Sequence, residues 1–96
     1  IKYKGFQVPP AELEALISQM PGGADVAGIG VPDDEAGELP KAFVVRAAGA
    51  AVTEDGVKDF VKGHVSTYKQ VRIVEFIDAI PKSASGKILR RELRDR

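Results

Sequence analysis

Apolar positions along the chain alternate between two periods, and the switches between them mark the elements. Leu13, Leu16, Ile17 and Met20 recur at i, i+3, i+4, i+7, one stripe of a helix. Pro9-Pro10 opens that helix, because proline suits a first helical turn, and Pro21-Gly22-Gly23 ends it. Ahead of it, residues 1–3 and 6–8 flank Lys4-Gly5 and predict a tight hairpin, with Gly5 supplying positive φ. Residues 25–31 read as a strand with Ala27, Ile29 and Val31 on one face. Gly28 and Gly30 lie on the other, where a neighbour can approach closely. Residues 41–47 are almost continuously apolar and predict a strand that is central or covered on both faces. The acidic, turn-rich connection over residues 32–40 has only about nine residues, too few for a helical crossover, so the two strands pair antiparallel.

After a loop over residues 47–52, Thr53 is an N-cap, and Glu54 and Asp55 suit the positive end of a helix dipole. Val57, Phe60, Val61 and His64 form the stripe of that helix, and residues 71–77 form a third strand. A loop over residues 81–86 follows. Ser85 is expected to cap a last helix with Ile88, Leu89 and Leu93 inward and Arg90, Arg91 and Arg94 outward. The expected fold class is α+β: a small three-stranded, mainly antiparallel sheet with packed helices, plus an N-terminal β-hairpin.

Composition narrows the function. With 96 residues the chain makes one domain, expected over residues 1–96. Lys plus Arg and Asp plus Glu are 14 each, and this zero balance argues against a nucleic-acid coat or a membrane-surface binder. Cysteine is absent, which excludes disulfides and cysteine-ligated metals, and a lone His64 argues against a histidine metal cluster. The apolar runs, such as Phe43-Val44-Val45, are too short to span a bilayer, and no signal peptide opens the sequence. The start at Ile1, inside an apolar–basic run, reads as a cut, so a longer protein with a large preceding domain is expected.

Two segments carry candidate chemistry. Pro81-Lys82-Ser83-Ala84-Ser85-Gly86-Lys87 sets a lysine beside a glycine, as a phosphate-binding loop does. The Walker pattern nevertheless fails, because Pro81 stands where glycine is needed and Ile88 where serine or threonine is needed. What remains is a mobile, extended cation that can reach an anion outside the domain, or else a solvated lysine. In the opening hairpin, Lys2 and Gln7 can present a cation and an amide together, or else form a solvated edge that discourages aggregation. His64 reads as half-buried and structural. Asp33, Asp34, Glu35 and Glu38 lack the spacing of a calcium loop and read as an acidic turn, so no metal site is expected.

Together the segments resemble a family. Ile1-Lys2-Tyr3-Lys4-Gly5-Phe6-Gln7-Val8 with Pro10-Ala11-Glu12-Leu13-Glu14 is similar to the post-hinge segment of adenylate-forming enzymes: acyl- and aryl-CoA synthetases, firefly luciferase and peptide-synthetase adenylation domains. Residues 31–40 resemble their central turn, and residues 81–91 resemble their final motif with its mobile lysine. The wording is most like the 4-coumarate–CoA ligases. The resemblance is to the small C-terminal domain only, without the large domain that holds ATP and the acyl pocket.

The resemblance implies a two-step reaction using ATP with Mg2+ and CoA as substrates, none of them bound by this chain alone. A carboxylic acid is first converted to an acyl-adenylate and then to a thioester, while the small domain swings about a hinge. Lys87 is implied as the catalytic cation of the first step. Lys2 and Gln7 are implied as active-site residues, and Gly5, Phe6 and Gly86 as lying near CoA or the adenylate. The isolated chain is expected to be inactive, and the complete enzyme to be cytoplasmic, where ATP and CoA are supplied. Three alternatives stand beside this one. The chain can belong to an adenylation domain that serves a carrier protein. It can act as a binding module whose Lys87 is the substrate of a lysine acetyltransferase, which removes the charge. It can also be a stand-alone interaction domain.

Overall fold

In the computed structural model, residues 1–65 and 69–95 are described. The elements run β1 (Lys2–Tyr3), β2 (Phe6–Gln7), α1 (Pro10–Ile17), β3 (Gly23–Asp33), β4 (Gly37–Arg46), α2 (Glu54–Lys62), β5 (Ile73–Phe76) and α3 (Arg90–Arg94). The chain is α+β, with a mainly antiparallel sheet in the order β2-β1-β4-β3 and β5 also on β4. The hairpin is not a separate appendage. Tyr3 pairs with Gly37, and the Lys4 amide donates to the Ala36 carbonyl at 2.7 Å, so hairpin and central strands make one five-stranded sheet.

β3 and β4 form a long antiparallel ribbon, as the short connection requires. The ribbon runs much further than expected. Residues 32–40 are mostly ladder and not loop, with Pro32 opposite Glu38 and Gly30 opposite Pro40. The reversal is compressed into residues 34–36 because the Asp33 carboxylate accepts from the Glu35 and Ala36 amides, at 3.2 and 2.9 Å, and Gly37 takes a φ of 84°. Pro32 is tolerated because β3 is an edge strand. The Gly28 amide points away from β4 to a side chain, and by the two-residue period Pro32 faces the same way, where no ladder donor is needed. The segment after β4 contains α2 and is long enough to cross over, so β5 joins β4 in parallel, from Lys41–Ile73 to Val44–Phe76.

Both faces of β4 are covered, as its apolar run predicts. On one face Val26, Ala42, Val44 and Val74 pack against Leu13 and Ile17 of α1 and Val57 and Val61 of α2. On the other, Ala27, Ile29 and Phe43 pack against Ile80 and Leu93. Thr53 caps α2, its hydroxyl accepting from the Gly56 amide.

Three further expectations fail. Ser85 caps no helix: α3 begins at Arg90 after an uncapped Leu89, because residues 82–88 close a small loop of their own. Arg90 is half-buried and does not face solvent, since its guanidinium finds partners on α1 and β3. His64 is exposed, one turn beyond the packed Val57 and Val61; its Nδ1 lies 2.7 Å from the Phe60 carbonyl and its ring leans on Phe60.

Candidate functional site

The loop carrying Lys87 is a miniature hairpin. Lys82 and Ile88 bridge antiparallel, the Ser83 amide donates to the Lys87 carbonyl at 2.9 Å, and the Leu89 amide donates to Pro81 at 2.9 Å. At the tip the Gly86 amide donates to the Ser83 carbonyl, and Gly86 takes a φ of 86°. A side chain at Gly86 would meet nothing, so backbone conformation and not crowding calls for glycine there. The hydroxyls of Ser83 and Ser85 lie 2.9 Å apart, and the Lys87 amide donates to the Ser83 hydroxyl at 3.3 Å. Ile88 turns inward onto the Ile80–Leu93 cluster. Lys87 turns outward, exposed, and among the described residues its ammonium has no ion-pair partner. A braced backbone thus presents a long cation to whatever lies outside.

Each leg of the loop is tied down. Lys82 Nζ donates to Asp25 Oδ2 at 2.7 Å. Beyond the other leg, Arg90 Nη2 donates to both Glu14 oxygens, at 2.9 and 2.7 Å, and Arg90 Nε donates to the Gly28 carbonyl at 3.2 Å. Glu14 in turn accepts from the Gly28 amide at 2.8 Å. Glu14 and Arg90 together satisfy both outward backbone groups of Gly28 on the open edge of β3. Sequence reasoning missed this cluster, since Arg90 and Glu14 stand 76 positions apart and share no motif.

The opening hairpin is the second candidate surface. Lys2 and Gln7 are direct cross-strand partners, so they share a face, and both are exposed. Lys4 and Gly5 turn the hairpin with φ of 50° and 84°, and a side chain at Gly5 would meet nothing in this chain. Among the described residues Phe6 is the large apolar one most open to solvent, at 53% exposure. The hairpin is pinned by the Lys2 amide, which donates to Glu38 Oε1 at 2.8 Å.

The two surfaces do not meet. The Lys87 loop is tied to Asp25 at the open end of the β3–β4 ribbon, and the hairpin to Gly37 and Glu38 at its turn. The strand rise over the intervening residues separates those anchors by about 25 Å. Lys2, Gly5, Phe6 and Gln7 therefore form one group, and Gly86 and Lys87 another. The acidic residues around Asp33 serve the turn and the hairpin, and among the described residues no three acidic or histidine side chains gather to hold a metal ion.

Comparison with known proteins gives a consistent picture. The model of the AMP-binding enzyme C-terminal domain matches residues 12–87, a span that ends on Lys87. The chain is 60% identical over 93 residues to 4-coumarate–CoA ligase-like 5 of Oryza sativa subsp. japonica, covering 97% of this chain and 17% of that protein. It is 58% identical over 94 residues to 4-coumarate–CoA ligase 2 of Nicotiana tabacum, again covering 17% of that protein. Among solved structures, a fatty acyl CoA synthetase of Mycobacterium tuberculosis superposes with a TM-score of 0.92 at 38% identity, over 99% of this chain and 19% of that one. Apo MatB from Rhodopseudomonas palustris superposes with a TM-score of 0.94 at 37% identity, over the same shares. The chain thus spans less than a fifth of the relatives it matches.

Proposed function

The chain belongs to the AMP-binding enzyme C-terminal domain family, and from that premise we propose that it is the moving catalytic lobe of an AMP-forming carboxylate–CoA ligase of the 4-coumarate or fatty acid type. The observation that carries this reading is the exposed Lys87 ammonium on a braced loop, about a ribbon's length from the hairpin that bears Lys2 and Gln7.

In the first step a carboxylate oxygen attacks the α-phosphorus of ATP. The new C–O–P linkage forms as the bond to the β-phosphate breaks, and pyrophosphate leaves. Two anions must approach, so a cation between them lowers the repulsion and stabilises the charge that develops. Lys87 supplies it by charge and hydrogen bonding and not as a nucleophile. That it is unpaired among the described residues is the useful feature, because no ion pair with any of them has to break before delivery. In the second step the CoA sulfur attacks the acyl carbonyl, the thiol proton is lost, and the bond to AMP breaks to leave the thioester. A lobe whose two candidate surfaces lie at opposite ends cannot offer both to one pocket at once. Rotation about a hinge ahead of Ile1 would exchange Lys87 for the hairpin, where Gly5 leaves open backbone and Phe6 an apolar contact for an extended thiol carrier. The strong likeness to CoA ligases favours free CoA over a carrier protein as the thiol acceptor.

The lobe holds neither nucleotide nor acid by itself in this scheme, and magnesium would travel with ATP in the large domain. The test is direct. The complete protein, given ATP, magnesium, CoA and a panel of cinnamic and fatty acids, is expected to release AMP and form a thioester with at least one acid. Residues 1–96 alone are expected to release none. AMP release by the isolated chain, or thioester formation by no acid in the panel, contradicts the proposal.

A further inference from the structure

We infer that the Glu14–Arg90 pair is a positioning device for Lys87, an inference that rests on the reading of Lys87 given above. Lys87 reaches outward from a loop whose own bonds close on themselves: Lys82 to Ile88, Ser83 to Lys87 and Leu89 to Pro81. Such a loop keeps its shape but not its direction, which is set by what holds its base. Beside the packing of Ile88 on the Ile80–Leu93 cluster, two ion pairs among the described residues do so, and they differ in quality. Lys82–Asp25 is a single contact between side chains that are 39% and 37% exposed. Glu14–Arg90 is shielded, at 15% and 28%, and engages both carboxylate oxygens. The guanidinium is held at two of its nitrogens, Nη2 by the Glu14 carboxylate and Nε by the Gly28 carbonyl, and this fixes the angle of its plane as well as its distance.

The pair also reads the backbone. Gly28 donates its amide to Glu14 and accepts from Arg90 Nε, so α1, the edge of β3 and the start of α3 are locked into one corner. Arg90 is three residues beyond Lys87, and the span between them is at most about 11 Å of chain. A tilt at Arg90 is therefore passed along a short, bridged segment to the ammonium, and errors of about 1 Å at a reacting centre can cost about a hundredfold in rate. Arg90 and Glu14 touch no reacting atom in this scheme.

The test compares variants of the full-length ligase carrying this chain. Arg90→Gln is expected to slow adenylate formation about 10- to 100-fold. It should leave thioester formation from supplied acyl-adenylate within about twofold, because the hairpin is held by Glu38 and Gly37 at the other end of the ribbon. Arg90→Lys, which keeps the charge and one contact, should recover part of the loss. Amide hydrogen exchange supplies a readout that does not depend on the chemistry: Gly86 and Lys87 should exchange severalfold faster in Arg90→Gln, with β4 unchanged. If Arg90→Gln does not fold, Glu14→Gln, which keeps the volume and one acceptor oxygen but sets an amide NH2 where the second oxygen stood, takes its place with the same expectations at smaller size. Unchanged exchange at Gly86 and Lys87 overturns the inference. So does equal loss in both half-reactions, the mark of a purely structural role. Lys87→Ala, measured in parallel, separates the two levels: if it spares adenylation, the reading of Lys87 fails and this inference with it; if it blocks adenylation while Arg90→Gln does not, only the inference fails.

Discussion

Two consecutive left-handed residues turn the opening hairpin, Lys4 at a φ of 50° and Gly5 at 84°. Both positive angles match the turn type that suits the right-handed twist of paired strands. Gly5 meets that demand freely, whereas Lys4 carries a Cβ in a region L-residues avoid. Lys4→Asn should therefore raise the stability of the chain by up to about 1 kcal/mol, read as a higher midpoint in denaturant unfolding. An unchanged or lower midpoint would show that Lys4 contributes more through its contact with the Tyr3 ring than its angle costs. The need for glycine at position 5 was legible, because a two-residue turn between apolar runs leaves few options. Arg90 was not legible. Its partners lie 62 and 76 residues away, and an arginine between Leu89 and Arg91 looks like the polar side of a helix.

Element by element, local signals succeeded where a cap or a period decided the outcome and failed where a longer-range packing choice did. Thr53 before Glu54 and Asp55 reads as a cap and is one, so Thr53→Ala should cost about 1 kcal/mol in unfolding free energy. Ser85 before Ile88 and Leu89 reads alike and is not one. Its hydroxyl meets Ser83 at an exposed loop tip, so Ser85→Ala should stay within about 0.5 kcal/mol of the parent. Equal costs for the two variants would contradict the loop assigned to residues 82–88. The helix pattern failed there because Ile88 and Leu93 both reach the same apolar cluster, one from a loop leg and one from α3, and periodicity alone does not tell these apart. The β3–β4 ribbon was under-read for a related reason. Prolines 32 and 40 signal a loop locally, yet edge geometry admits Pro32 and the Asp33 carboxylate needs only residues 34–36 to turn the chain. At the centre of the ribbon Phe43 is fully enclosed, and Phe43→Ala should cost about 3–5 kcal/mol, enough to leave so small a domain largely unfolded.

Across the whole molecule, the sheet works as a spacer with a different chemical surface at each end. α1 and α2 cover one face, and Ile80, Leu93 and the Lys87 loop cover the other. The hairpin and the lysine loop are held to a common ribbon, so in the proposed scheme a rotation of the lobe would move one toward a fixed pocket as it withdraws the other. That would give the proposed separation of roles between Lys87 and the Lys2–Gln7 surface a geometric basis. The most direct measurement is the pair of half-reaction rates in the full-length enzyme bearing Lys87→Ala: pyrophosphate release from ATP and acid, and thioester formation from supplied acyl-adenylate and CoA. The expected result is a loss of about 10²–10³ in the first rate with the second retained. Comparable losses in both, or none in the first, would contradict the account.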